Sequence, residues 1–389
     1  MSWKTDKWWV SPYNFIEEAR KDMHFPEKIQ LHDISLRDGE QQPGIVFRKD
    51  DKIKIARKLD EVGVHRIEAG LPAVSKEDEK AIRAIVKLGL KADIYVLCRA
   101  DKSDVDLALK CDVKNVVLEV PSSDVLIEKG FQWTKEKVMG LALDALTYAK
   151  DHGLHVVFFP YDTTRANFDF ESKLVKMAVE EAHVDGVTIV DTFGVATPDA
   201  IAYLVRRMKE IVNVPIEVHC HNDLGHALIN SIAGVAAGAE CIHTSVNGIG
   251  DSSGNAPLEQ VAVSLPMLYG VDLGLNLGKI YELSKLVEKL SGIQIAPGRP
   301  VVGENIFRKE SGIFVMFRDR SLASGVPTAS CAFLPSLLDP RRVGKEFDVV
   351  LGKKSGKASV AAKLRELGWS ATEGQMDSCL LYTSDAADE

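Results

Sequence analysis

The sequence predicts an α/β fold, a (β/α)8 TIM barrel followed by a small C-terminal lid subdomain, on two observations. In residues 28–275, eight short β-rich segments alternate with helical patterns, which fits a closed barrel better than an open doubly wound sheet. Polar residues also cluster where these segments end, and barrel enzymes place their chemistry at the C-terminal ends of their strands. The predicted strands are Ile29–Ser35, Val64–Ala69, Ala92–Cys98, Asn115–Pro121, Leu154–Tyr161, Gly186–Asp191, Pro215–His221 and Glu240–Asn247.

The segments between these strands carry helix signals. Lys52–Val62 places its apolar residues on one face, as an amphipathic helix does. Ser75, with an acidic residue three positions later, is typical of a helix N-cap, and so is Thr197 before a proline. No repeat of the kind that marks a solenoid is visible, so a barrel remains the better interpretation.

The flanking regions follow a different pattern. Residues 1–27 are predicted to be an N-terminal extension. Residues 276–378 are predicted to form a linker and a C-terminal lid subdomain, with helices at Leu277–Leu290 and near Lys357–Leu367. The last eleven residues, 379–389, resemble a translated sequencing adapter, so we expect them to be a non-native tail.

Composition excludes several classes of protein. The 389 residues are 46% hydrophobic and 27% charged, as in ordinary globular proteins, and the net charge of −8 argues against nucleic acid or an anionic membrane as a partner. The six cysteines form no C-x-x-C pair, which favours reduced thiols. The N-terminus lacks the apolar core of a signal peptide, and no apolar run approaches the length of a membrane span. We therefore expect a cytoplasmic protein.

A histidine pair at the end of the seventh strand is the first candidate for chemistry. Residues two apart on a strand share a face, so His219 and His221 project the same way while Cys220 points oppositely. Two converging imidazoles are half of a metal site. For this pair taken alone, an ordinary hydrogen-bonded role is an equal alternative.

Two further segments favour the metal. Asp38 follows the first strand and Asn255 follows the eighth, and strands one, seven and eight are consecutive around a closed barrel. A carboxylate, two imidazoles and an amide oxygen suit a divalent ion such as Mn²⁺, Mg²⁺, Zn²⁺ or Co²⁺. The glycines of Gly248–Gly254 do not have the spacing of a dinucleotide or phosphate-binding loop, so they are predicted to let the backbone approach a ligand.

Three motifs together resemble a known family. They read L-R-D-G-E-Q, H-C-H-N-D-L-G and N-G-I-G-x-x-x-G-N-x-x-L-E, in this order along the chain. They are similar to those of the isopropylmalate, homocitrate and citramalate synthases, metal-dependent barrel enzymes that condense an acyl-CoA with a 2-oxo acid, and of related lyases. The likeness covers about Ile29 to Gly368.

The resemblance implies a function and a set of residues. Asp38, His219, His221 and Asn255 would hold the metal, a 2-oxo acid would chelate it, and Arg37 would neutralise the developing oxyanion. The protein would be an acyltransferase of amino-acid biosynthesis that is similar to 2-isopropylmalate synthase. Its acyl-CoA substrate would most simply be acetyl-CoA, and the enzyme would form a homodimer. Further polar side chains would line the mouth as substrate-binding groups, with a structural ion pair or hydrogen bond as an equal alternative for each: Gln41, Glu68, Arg99, Asp162, Arg165 and Thr192.

The chain also departs from the family pattern. Phe314 replaces the second histidine of the family's lid motif, and Tyr161 replaces a common glutamate. Proton abstraction would then fall to Glu310, Glu68 or a metal-bound water. Asp251 and the serine after it replace a usual Glu-Arg pair, which leaves open how acyl-CoA is bound.

Two other hypotheses remain beside the condensing enzyme. One is a lyase or aldolase of the same superfamily that cleaves a C–C bond, although Gly248–Asn255 lacks the thiol of 3-hydroxy-3-methylglutaryl-CoA lyases. The other is a metal-binding pseudoenzyme that has lost its base. Homocitrate synthases are similar to one another in having an arginine on the fifth strand that binds the distal carboxylate of the oxo acid. The corresponding segment here, Val156–Phe159, contains no cation, so the sequence favours a short or apolar oxo acid such as pyruvate or 2-oxoisovalerate.

Overall fold

A computed structural model describes residues 3–5, 8–325 and 338–385, and it shows a closed barrel of eight parallel strands in chain order. Residues 1, 2, 6, 7, 326–337 and 386–389, which include parts of the predicted extension, lid and tail, lie outside the described residues. The last strand closes on the first over four residue pairs, from Gln30 opposite Cys241 to Asp33 opposite Thr244. The predicted fold class is therefore confirmed. The strands are β1 Gln30–Asp33, β2 Arg66–Glu68, β3 Asp93–Arg99, β4 Asn115–Pro121, β5 His155–Tyr161, β6 Gly186–Asp191, β7 Ile216–Cys220 and β8 Cys241–Thr244.

Helices alternate with these strands and cover the outside of the barrel. Ser75 caps its helix as predicted, its hydroxyl accepting from Asp78 N at 3.0 Å, and Thr197 does the same for Ala200 N. The described α-helices are α1 Glu17–Arg20, α2 Lys49–Val62, α3 Lys76–Val86, α4 Lys102–Lys110, α5 Lys135–Asp151, α6 Phe168–Glu180, α7 Pro198–Ile211, α8 Ala227–Ala236, α9 Leu258–Ser264, α10 Ile280–Ser291, α11 Gly312–Ala323, α12 Lys357–Glu366 and α13 Glu373–Asp385.

The barrel lumen divides into an apolar and a polar half. Because side chains alternate along a strand, every second residue points inward. The inward residues of β3 to β6 form a separate apolar cluster, which consists of Tyr95, Leu97, Val117, Val157, Phe159 and Val190. The inward residues of β1, β2, β7 and β8 are polar and buried: His32, Arg66, Glu68, Glu217, His219 and His243, with the thiol of Cys241 among them. The polar half thus includes His219, one of the predicted metal ligands.

The elements after the barrel remain attached to it. Helix α10, predicted as the start of the linker, packs on α2, and its Ser284 exchanges hydrogen bonds with the side chain of Asn247 in the loop after β8. Strands β9 (Arg308–Lys309) and β10 (Asp348–Val349) pair in parallel and precede α11 and α12 respectively. The predicted domain boundaries remain predictions. In the part of the chain that the structure describes, no helix combines the length and the apolar character needed to cross a membrane.

Candidate active site

A buried lysine fixes the loop that carries Asp38. Lys52 of α2 is 1% exposed, and its ammonium pairs with Glu40 at 2.6 Å and Asp78 at 2.7 Å and donates to the carbonyl of Leu36 at 3.2 Å. These contacts hold both ends of the segment that follows β1. Since a buried ammonium must be compensated by charge and hydrogen bonds, the loop has little freedom to move.

Asp38 and the two histidines lie together at the C-terminal end of the barrel. The Nε2 atoms of His219 and His221 are 3.1 Å apart, and Asp38 Oδ2 lies 3.9 Å from each. All three side chains are buried. Burial lowers the pKa of His219 well below its usual value, and the neighbouring His221 and His243 lower it further, so the ring is neutral, as a metal ligand must be.

Asn255 completes this group from the loop after β8. Its backbone forms a bridge with that of His221, and its Nδ2 donates to Asp38 Oδ1 at 2.5 Å. The amide oxygen, Oδ1, is buried and has no hydrogen-bond partner among the described residues. Gly250 permits this approach, since its φ is +158° and a Cβ there would overlap Asn255 and lie 2.7 Å from Asp38 Oδ1.

These four side chains fit a divalent metal ion. The Nε2 atoms of the two imidazoles face each other beside the Asp38 carboxylate, and Asn255, which donates to that carboxylate, carries an unpartnered amide oxygen. A buried acceptor left without a donor, such as Asn255 Oδ1, is costly, and a bound cation would satisfy it. The structure thus places together the four residues predicted to bind the metal.

Arg37 lies directly beside this group. Its Nε donates to Glu68 Oε1 at 2.6 Å, and its Nη1 donates to Asp38 Oδ2 at 2.7 Å and to Gln41 Oε1 at 3.2 Å. Its Nη2 is buried without a partner among the described residues. The guanidinium is thus held rigidly with one donor left for a ligand.

Glu68 is tied to Arg37 and is a weak base. Burial raises the pKa of Glu68, but the charge of Arg37 and the contact with His32 outweigh it and bring the pKa to about 2. A carboxylate with so low a pKa has little affinity for a proton, which makes Glu68 an anchor for Arg37 rather than a proton acceptor.

The other predicted site residues lie apart from Asp38. Thr192 Oγ1 accepts from the backbone N–H of Asp162 at 2.8 Å, and Arg165 binds the carboxylate of Asp162 with two nitrogens. Arg99 binds Asp104 with two nitrogens, and 61% of its side-chain surface is exposed. No hydrogen bond or ion pair among the described residues joins these groups to Asp38, His219, His221 or Asn255.

Glu310 lies in the C-terminal region, where its carboxylate accepts from Lys354 N at 2.5 Å. Its backbone carbonyl accepts from Ser359 Oγ at 2.9 Å. No contact in the described part of this chain brings the Glu310 carboxylate to the barrel mouth, so this conformation of a single chain does not present it as the proton acceptor.

Glu119 is a candidate that the sequence did not reveal. It lies on β4, two residues above Val117 of the apolar lumen, and its neighbours in the register are Arg99 and Phe159. Burial raises the pKa of Glu119 to about 7, with Arg37 opposing this and Glu68 adding to it. The only signal in the sequence is one acidic residue within the apolar run Val116–Val120.

A second buried group was also missed. His32, Glu217, Cys241 and His243 offer ligand-type atoms that all lie within 4.8 Å of one another, below the first group. They lie on three different strands, and recognising them requires knowing which residues of each strand point inward.

Comparison with known proteins identifies relatives over almost the whole chain. Residues 28–287 match the HMGL-like family. The chain is 41% identical over 370 residues to homocitrate synthase AksA of Methanothermobacter thermautotrophicus, covering 95% of this chain and 91% of that protein. It is 40% identical over 353 residues to 2-isopropylmalate synthase of Methanocaldococcus jannaschii, covering 91% of this chain and 66% of that protein.

Solved structures agree on the fold. The HMG-CoA lyase of Bacillus subtilis superimposes with a TM-score of 0.63 at 18% identity, covering 69% of this chain and 96% of the lyase. At that identity the likeness concerns the barrel alone. The identity to the two synthases, together with the family match, confirms the resemblance inferred from the motifs: this chain belongs to the HMGL-like family, in the group that contains the homocitrate and 2-isopropylmalate synthases.

Proposed function

We propose that this protein catalyses a metal-dependent Claisen-type condensation of an acyl-CoA, most simply acetyl-CoA, with a small 2-oxo acid, releasing CoA. The observation that carries the proposal is the arrangement around Asp38. One of its oxygens lies beside His219 and His221 and accepts from Arg37, and the other accepts from Asn255. Relatives of similar sequence are named as synthases of this class.

The metal would be held by Asp38, His219, His221 and Asn255 Oδ1. A mixed nitrogen and oxygen set of this kind suits Mn²⁺, Mg²⁺, Zn²⁺ or Co²⁺. When bound, such an ion supplies Lewis-acid polarisation of the keto group of a chelating 2-oxo acid.

Arg37 stabilises the negative charge that develops on the keto oxygen. Its Nη2 is buried with no partner among the described residues, and Glu68 and Gln41 hold the rest of the guanidinium in place. A donor that is fixed before the reaction begins needs no reorganisation during it. Burial lowers the pKa of Arg37, but Glu68 and Asp38 raise it by more, so the cation is permanent.

Glu119 is the group best suited to remove the proton. Its carboxylate is charged near neutral pH yet retains proton affinity, and it interacts electrostatically with Arg37 and Asp38. In the proposed step Glu119 takes a proton from the acyl-CoA methyl group, and the resulting carbon nucleophile forms the new C–C bond to the keto carbon. The keto π bond breaks in the same step, its electron pair goes to the oxygen, and the resulting alkoxide takes up a proton to become a hydroxyl group. Water then cleaves the thioester and CoA leaves as the thiol.

The charges at the mouth favour a short or apolar oxo acid. The arginines at the described strand ends are already paired: Arg37 with Asp38, Arg99 with Asp104, and Arg165 with Asp162. A distal carboxylate, as in 2-oxoglutarate, would find no arginine at these strand ends without a carboxylate partner and would meet the like charge of Glu119. Pyruvate and 2-oxoisovalerate carry no such group.

We also propose that the protein acts as a homodimer in which the C-terminal region of one copy covers the barrel mouth of the other. Apolar side chains at the rim, Val46, Val74 and Val125, are more than half exposed in the single chain. A partner's lid would remove them from water. Light scattering tests this, and a monomer at micromolar concentration would contradict it.

The function is tested by CoA-thiol release from acetyl-CoA with a panel of pyruvate, 2-oxoisovalerate, 2-oxobutyrate and 2-oxoglutarate, with and without a chelator. We expect release that depends on both the oxo acid and the metal. Metal content without turnover of any member would favour the pseudoenzyme. Cleavage of a 3-hydroxy-acyl-CoA, without condensation, would favour the lyase.

A further inference from the structure

A series of buried polar contacts runs from His219, one of the four predicted metal ligands, down into the lumen. Nδ1 of His219 lies 3.3 Å from Nδ1 of His243, Nε2 of His243 lies 2.8 Å from Glu217 Oε2, and Glu217 Oε1 accepts from Arg66 at 2.5 Å. These residues come from β7, β8 and β2, so this series of contacts crosses the barrel. All four side chains are buried.

We propose that Arg66, Glu217 and His243 are positioning residues that fix the tautomer and orientation of His219 for metal binding. The proposal rests on the proposed function, since it concerns a ligand of the proposed metal. A metal-binding histidine usually donates its second N–H to a carboxylate or carbonyl, which raises its basicity and fixes its ring. Here an imidazole is inserted between the ligand and the carboxylate.

The Arg66–Glu217 pair determines which nitrogen of each histidine carries a proton. Arg66 is a permanent cation, so Glu217 beside it is a carboxylate and can only accept. His243 must therefore donate from Nε2, which leaves its Nδ1 as an acceptor. His219 then donates from Nδ1, and its Nε2 keeps a lone pair directed toward His221 and Asp38.

A second metal in the lower group is the competing explanation. His32, Glu217, Cys241 and His243 are near enough to hold one. However, the cation that Glu217 needs is already supplied by Arg66, and a dication there would lie beside a buried guanidinium. The imidazole of His243 is likewise used by its two hydrogen bonds. The structure therefore favours a relay of hydrogen bonds with one metal per chain.

The test is the affinity of the metal-free, full-length protein for Mn²⁺, measured by calorimetry without substrates. Glu217→Gln keeps the shape of the side chain but can donate to His243 Nε2, and His243→Phe removes the acceptor while leaving the Arg66–Glu217 pair intact. We expect each variant to bind Mn²⁺ about 10- to 100-fold more weakly than wild type. Thermal unfolding of the metal-free proteins shows whether each variant is folded, and if Glu217→Gln is not, His243→Phe decides.

Cys241→Ala is the matched control. It removes a side chain of the same buried group that takes no part in the relay, so we expect Mn²⁺ affinity within twofold of wild type and one equivalent bound per chain. Unchanged affinity in folded His243→Phe would overturn the relay. Two equivalents in wild type, with one lost in Cys241→Ala, would show a second metal site instead. If wild type binds no metal at all, the proposed function fails rather than the relay alone.

Discussion

Replacing Glu119 by glutamine is expected to stop turnover and, at the same time, to stabilise the folded protein above neutral pH. Both effects have one cause, the burial of a carboxylate at the top of an apolar lumen. Burial raises the pKa of Glu119 from 4.5 to about 7, and Glu68 adds to the rise while Arg37 reduces it. Keeping a carboxylate in an environment that raises its pKa lowers the free energy of unfolding once the group is ionised.

The size of the stability effect follows from the pKa shift. The rise from 4.5 to about 7 corresponds to an upper limit of roughly 3.5 kcal/mol at about 1.4 kcal/mol per pH unit. The carboxylate is only partly shielded from water, so screening reduces this and we expect about 1–3 kcal/mol. Because the folded-state pKa is raised, the folded protein binds the extra proton between pH 4.5 and 7, and its stability falls across that window.

Two measurements on the same variant test this reasoning. Urea unfolding of metal-free protein should show Glu119→Gln more stable than wild type at pH 8, with the difference disappearing below pH 4.5. Turnover should fall by about 10²- to 10⁴-fold, and the rising limb of kcat/KM with pH, whose midpoint in wild type lies no higher than about 7, should be lost.

Tyr161 offers a control for the position of the base. It lies on β5, two residues beyond Phe159, the register neighbour of Glu119, and burial together with the Glu119 charge raises its pKa above the usual range. Adding Tyr161→Glu to Glu119→Gln returns a carboxylate to the mouth and should restore part of the lost turnover. A folded Glu119→Gln variant that keeps its turnover within tenfold of wild type would refute Glu119 as the base.

Three further predictions concern the metal, the substrate and the loop. Asp38→Ala and His219→Ala should each abolish bound metal and turnover while the barrel still folds; full metal content in either variant, measured by elemental analysis, would contradict the site. In the oxo-acid panel, pyruvate or 2-oxoisovalerate should react faster than 2-oxoglutarate, and the reverse order of kcat/KM would show that a distal carboxylate is bound. Lys52→Met should lower the free energy of unfolding by about 3 kcal/mol in a urea titration, because it leaves two carboxylates without their shared cation. Lys54→Met is its control, with 58% exposure and an expected change below about 0.5 kcal/mol; equal losses for the two would be contrary to this account.

The sequence predicted those parts of the site that depend on strand order. His219 lies on β7, and Asp38 and Asn255 follow β1 and β8; these strands are neighbours in any closed barrel, so the convergence of the three residues needed no knowledge of side-chain packing. Glu119 was not predicted because within a strand only the register decides whether a residue points inward. Arg99 was predicted as a substrate group from its position at a strand end, but the sequence does not show that Asp104 binds its guanidinium.

The charges around the lumen suggest that the pKa of the proposed base, Glu119, depends on whether the proposed metal is bound. In the ion pairs formed by Arg37 and Arg66, these two cations face three carboxylates, on Asp38, Glu68 and Glu217, which leaves 2 − 3 = −1 with Glu119 protonated. Ionising Glu119 makes this −2, which is unfavourable in a buried site and helps to keep its pKa near 7. A bound divalent cation would change the sum to zero with Glu119 ionised. We therefore expect metal binding to lower the pKa of Glu119, so that the proposed proton acceptor is fully charged at neutral pH once the metal is bound.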